Sequence, residues 1–152
     1  MYTRREASQL RQEFWTSFCQ YMQPLANADG EKINWVNYKT GNRFIQVKMD
    51  ANEQSAVFSI TINCPDESAR QQYFNQFLAQ KYFFEQETGR DWMWQPSTTD
   101  GFLKPVAIIS KTLIGVSIFN KEHWPSLIVF FKQSIIAFDA FWQMARYGFE
   151  EM

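Results

Sequence analysis

Histidine is almost missing from this chain, with His123 the only one in 152 residues. Any Ser-His-Asp or Cys-His device would therefore have to run through that residue. It stands beside Trp124-Pro125 at an expected helix start, where a capping or surface role is commonplace. Cysteine is scarce as well. Cys19 and Cys64 are the only two, which with one histidine cannot supply a closed zinc set, and they read as free thiols of a reducing compartment. The six glycines, Gly30, Gly41, Gly89, Gly101, Gly115 and Gly148, are isolated from one another, so no phosphate-cradling loop is present. Charge of one sign is lacking too: the formal net charge is -1, and attraction to DNA, RNA or an anionic bilayer would need a local patch. The opening Tyr2-Thr3-Arg4-Arg5-Glu6 is polar, and no uninterrupted bilayer-length apolar run is read in the chain. A cytoplasmic location, no membrane partner, no metal and no cofactor are the resulting expectations.

What the chain does have is rings. Aromatic residues make up 18% and hydrophobic residues 45%, so a dense core is expected although the mean hydropathy is only -0.40, because each ring removes a large area from water. The length suits one domain, 1–152, with no linker or low-complexity segment.

The period of the apolar residues predicts an α+β fold: a single domain with a mainly antiparallel sheet, in the order α-βββ-α-ββ(β)-α, packed with three helices. Thr3 and Glu6 have capping-box spacing, and Leu10, Phe14, Phe18 and Met22 recur every four residues until Pro24 stops the helix. From residue 33 the period becomes two. Residues 33–38 and 43–50 are read as a hairpin around Lys39-Thr40-Gly41-Asn42, and 56–63 as a third strand of a meander. In 43–50, Ile45, Val47 and Met49 share one face, and Phe44, Gln46, Lys48 and Asp50 the other. A second helix is expected from Pro65 to a cap at Gly89. Strands follow at 91–95 and 104–113, with a shorter one at 116–119 and a turn at 96–101. Pro125 opens a last helix whose line Leu127, Phe131, Ile135, Phe138, Trp142, Ala145 and Phe149 is apolar throughout.

No catalytic set emerges, so a non-enzymatic interaction module is the leading reading, its partner another protein or a second copy. The best surface is the solvent side of the meander, where Phe44 and Lys48 lie near Thr61, with Lys39, Arg43, Asp50 and an outward Trp35 or Tyr38 around them. Rings interleaved with cations suit a protein hot spot or base stacking. The plainer reading places a helix over this face and makes the rings core. The alternative function is nucleic-acid binding on a degenerate fold, because the element order resembles that of the PD-(D/E)xK nucleases. Gln46-Val47-Lys48 has glutamine where that pattern needs a carboxylate, and Ser59-Ile60-Thr61 offers no acid, which leaves Asp50 alone and a catalytic metal without its ligands.

Arg11-Gln12-Glu13-Phe14-Trp15, Ile33-Asn34-Trp35, Asn37-Tyr38-Lys39-Thr40-Gly41, Met49-Asp50, Trp92-Met93-Trp94, Gly115-Val116-Ser117-Ile118-Phe119-Asn120, Trp124-Pro125 and Phe141-Trp142 together resemble the bacterial domain-of-unknown-function family four-two-six-eight. The resemblance spans nearly the whole chain. Members stand alone or follow a restriction-nuclease-like part in longer proteins, which implies a DNA-handling or defence-accessory setting for relatives. It supplies no catalytic residues, and its signature is mainly of ring, glycine and proline positions.

Overall fold

The computed structural model describes residues 2–152. Helix α1, Arg4–Met22, starts where Thr3 Oγ1 accepts the Glu6 amide at 3.1 Å, and it buries Phe14, Phe18 and Met22. After it the chain runs irregularly to residue 44, which overturns the strand expected at 33–38 and the hairpin around Gly41. The cause is local. The Asn34 side chain accepts the amides of Val36 and Asn37 at 3.1 and 3.2 Å, and this turn competes with the extended backbone that a strand needs. Trp35 and Tyr38 both swing inward and stack, with ring centroids 6.2 Å apart.

Strands β1 (Ile45–Ala51) and β2 (Ser55–Ile62) form the first hairpin. β3 (Met93–Thr99) and β4 (Pro105–Ile114) form the second. The sheet is antiparallel in the order β1-β2-β4-β3, so it joins two hairpins rather than extending a meander. β3 continues through the expected turn at 96–101 as far as Thr99, with a register shift between Gln95 and Thr98. Proline is tolerated there because β3 is an edge strand. Residues 116–119 form no strand; the Ile118 amide instead bonds the Asn52 carbonyl at 3.0 Å.

The inner face of the sheet carries Phe58, Ile60, Ala107 and Ile109, all fully buried. The expected second helix is two, α2 (Glu67–Ala79) and α3 (Lys81–Thr88), broken at Gln80. The break lets Phe77 and Phe84 reach the same Phe141 ring, at 6.2 and 4.9 Å. Helix α4, Trp124–Ala145, carries Pro125 in its first turn, and every residue of its expected apolar line is buried. Among the described residues four α-helices thus stand where three were expected. The span Lys121–Phe149 is long and apolar enough to cross a bilayer by length and composition, although Lys132 and Asp139 interrupt it. Here its apolar side is core: Phe138 stacks on Trp142 at 6.0 Å and meets Phe58 of the sheet at 6.2 Å. Each ring taken fully out of water stabilises the fold by about 2 to 3 kcal/mol before ordering costs.

All four helices gather on the inner side. On the outer face, Val57, Ser59, Ile108 and Ser110 of the two central strands remain only half-buried, so no helix lies over them. Thr61 and Val106 are buried on that face, at the end near the β3–β4 turn. Asp100 in this turn accepts the amides of Phe102 and Lys104 at 2.8 and 3.0 Å. Those bonds, helped by the charges of Lys104 and Lys48, hold its carboxyl below the usual range. The turn therefore lies within electrostatic reach of the outer side of β1.

Candidate functional site

The irregular segment before β1 is held by one buried carboxylate. Asp139, in the middle of α4, is 1% exposed. Its Oδ1 accepts the Tyr38 hydroxyl at 2.6 Å and the Gln143 amide at 2.9 Å, and its Oδ2 accepts the Ala28 backbone amide at 2.7 Å. Burial and the bond to this carboxylate push the Tyr38 phenol far above its ordinary pKa, so Tyr38 stays a donor. Three more bonds fix the same segment. Trp142 Nε1 donates to the Thr40 carbonyl at 2.7 Å, Trp35 Nε1 to the Leu25 carbonyl at 2.9 Å, and Thr40 Oγ1 to the Ile45 carbonyl at 2.8 Å. A satisfied polar network of this kind is rigid. It sets the turn at 39–43 as a fixed wall beside β1, with Gly41 supplying a φ of +83°.

Two surface clefts flank this turn and share residues 40–43. The larger, about 600 Å³, lies between the turn and β1 and is lined by Lys39, Arg43, Lys48, Asn37 and Gln46 among others, with no carboxylate in its wall. The smaller, about 380 Å³, lies toward the end of α4, where Arg43 and Arg146 face Phe44, Tyr73 and Glu150. The Arg43 guanidinium rests over the Phe44 ring, 4.7 Å from its centroid. Arg146 Nε is buried without a hydrogen-bond partner. Among the described residues the only ion pairs are Arg11–Asp50 at 3.7 Å and Lys121–Glu13 at 3.1 Å. The cations of both clefts are therefore uncompensated by direct pairing.

The residues singled out from the sequence separate into two groups. Lys39, Arg43 and Lys48 come together in the larger cleft, and Phe44 lines the smaller one. Trp35 is not outward: it is 2% exposed and belongs to the core, because burying its large ring removes apolar area from water while the Leu25 carbonyl satisfies its indole N–H. Asp50 is drawn toward Arg11 at the far end of β1, and Thr61 is buried opposite Gln46. Among the described residues no three His, Cys, Asp or Glu side chains gather closely enough to hold a metal ion. Sequence reasoning missed Asp139 and Arg146. The signal for Asp139 was present, since it is the only charged residue between Lys132 and Arg146 in an apolar helix, and buried charge demands partners.

The chain belongs to the family described as "Domain of unknown function (DUF4268)", whose model matches residues 10–146. No curated protein and no solved structure matches it. The match covers every element named above except the first turns of α1 and the residues after 146.

Proposed function

We propose that this DUF4268 domain is a non-enzymatic binding module of the cytoplasm that holds an anionic partner in the cleft between β1 and the turn at 39–43. One observation carries the reading: Lys39, Arg43 and Lys48 line a single cleft with no acid in its wall among the described residues. Cations left unpaired beside a rigid wall are pre-organised for an anionic group and lose little freedom on meeting it. Free thiols at Cys19 and Cys64 accord with a reducing compartment. A protein partner is favoured over nucleic acid, because no ring lies open in this cleft. Tyr38 is buried, and stacking on bases needs an exposed aromatic face.

Fluorescence anisotropy at low salt, with a labelled polyglutamate peptide and a labelled oligothymidylate, tests the reading. At least one probe is expected to bind, with affinity falling as salt rises, and to weaken about tenfold or more when Lys39, Arg43 and Lys48 are changed to Gln. Absence of binding to both probes would sink the proposal, as would equal weakening by a control set at Arg4, Lys121 and Lys132. Cleavage of DNA with magnesium or manganese that disappears in Asp50→Asn would show the domain to be an enzyme instead.

A further inference from the structure

The larger cleft also contains an exposed strand edge. β1 ends the sheet order, so among the described residues one side of its backbone has no neighbouring strand. The hydrogen-bond register tells which residues face outward. The Phe44 carbonyl accepts from the Asn63 amide, and the Asn52 amide donates to the Ser55 carbonyl, both at 2.9 Å. Even-numbered residues of this stretch therefore turn their backbone groups toward β2, and Ile45, Val47, Met49 and Ala51 turn theirs to the free edge.

Both ends of that edge are already closed by the chain itself. The Ile45 amide donates to the Asn42 carbonyl at 3.2 Å, and the Ile45 carbonyl accepts Thr40 Oγ1 at 2.8 Å. The Ala51 amide donates to the Asp50 carboxylate and the Ala51 carbonyl accepts the Arg11 guanidinium, each at 2.8 Å. Between these stoppers, Val47 and Met49 have no intramolecular backbone partner among the described residues. The result is a window of two donors and two acceptors, with Val47 in the wall of the basic cleft and Met49 next along the same edge.

Resting on the binding reading above, we infer that β1 receives an extended acidic segment of a partner protein as a fifth strand. Main-chain bonds to Val47 and Met49 would supply the register, and side chains the choice of partner. In an antiparallel addition, the residue opposite Lys48 lies on the same sheet face as its ammonium group, so an acid is favoured there. The residues opposite Val47 and Met49 lie on the inner side, next to half-buried apolar side chains, and are favoured as apolar. The wanted pattern is apolar-acid-apolar. A second copy of this chain fits poorly. Antiparallel pairing of two β1 edges through both Val47 and Met49 would set Lys48 directly against its equivalent, and like charges in that position repel.

The test uses the whole chain labelled with nitrogen-15 and a fluorescent peptide of about ten residues alternating Val and Glu, a length that more than covers the window. Binding is expected, with slowed hydrogen exchange at the Val47 and Met49 amides. Methylating the backbone nitrogens of one alternate set of peptide residues is expected to weaken binding about tenfold or more, and methylating the other set far less. Val47→Pro, which removes an outward N–H that the fold does not use, should also weaken it. Equal binding by both methylated peptides and no added protection at Val47 and Met49 would overturn strand addition. If that binding still depends on Lys39, Arg43 and Lys48, the cleft reading survives alone; if neither the peptide nor oligothymidylate binds, both fall. Oligothymidylate binding in the cleft while the peptide does not would replace the acidic segment by nucleic acid.

Discussion

Asp139 and the β1 cleft use charge in opposite ways, although one loop joins them. At Asp139 both carboxylate oxygens are buried and bonded, to Tyr38, Gln143 and the Ala28 amide. Around the cleft, Lys39, Arg43 and Lys48 carry no ion pair among the described residues, and the Val47 and Met49 backbone lies open between two closed ends. The first arrangement stabilises the fold, because breaking it leaves the buried Tyr38 hydroxyl without an acceptor. The second adds little to stability and leaves interaction free energy for a partner. A charge that the fold has already satisfied is a poor candidate for function, and one that the fold leaves unsatisfied in a rigid setting is a good one.

The comparison breaks most readily at Asp139. Asp139→Ala is expected to lower the unfolding free energy by about 3 kcal/mol, read by urea denaturation, because the Tyr38 hydroxyl loses its acceptor in a buried place and the Ala28 amide loses its tie to α4. A loss under about 1 kcal/mol would mean that water replaces the carboxylate and that the pin is dispensable.

Tyr38→Phe should cost less, about 1.5 to 2 kcal/mol for one bond to a charged acceptor. It carries a pH signature as well. The phenol is raised in the folded state by burial first and by the bond to Asp139 second. Above the ordinary tyrosine value near 10, the unfolded chain releases this proton while the folded chain keeps it. Stability from this group is thus complete below about pH 10 and falls as pH rises beyond it. The difference in stability between the parent and Tyr38→Phe should shrink on raising the pH from 9 to about 11; a constant difference would deny the coupling.

The smallest effect belongs to the other region. Changing Lys39, Arg43 and Lys48 to Gln together is expected to move the unfolding free energy by no more than about 0.5 kcal/mol, while weakening the binding described above about tenfold or more. A loss of stability comparable to that of Asp139→Ala would place these cations among the groups that hold the fold, and the contrast would fail.

Much of the architecture was legible in the residues because it follows from periods. Phe14, Phe18 and Met22 recur with a helical period, the alternation of Ile45, Val47 and Met49 is that of a half-covered strand, and the α4 line is buried throughout. Misreadings arose where a side chain overrode the period. Asn34 turned an alternating run into a loop, and the bulge after Gln95 carried a strand past Pro96. Of the site, Lys39, Arg43 and Lys48 were visible as cations near a turn, but Trp35 was placed on the wrong side of the backbone.

By its own order of residues the chain determined an α+β domain built on rings, since ring spacing and turn residues act over a few positions and need no distant partner. Only the tertiary structure decided that Asp139 would reach back more than a hundred positions to Tyr38, and that the middle of the outer sheet face would stay half-buried. It alone left the edge of β1 open at two residues. Which strand becomes an edge depends on how all the helices share one side of the sheet, and that is a property of the packed whole rather than of any local run.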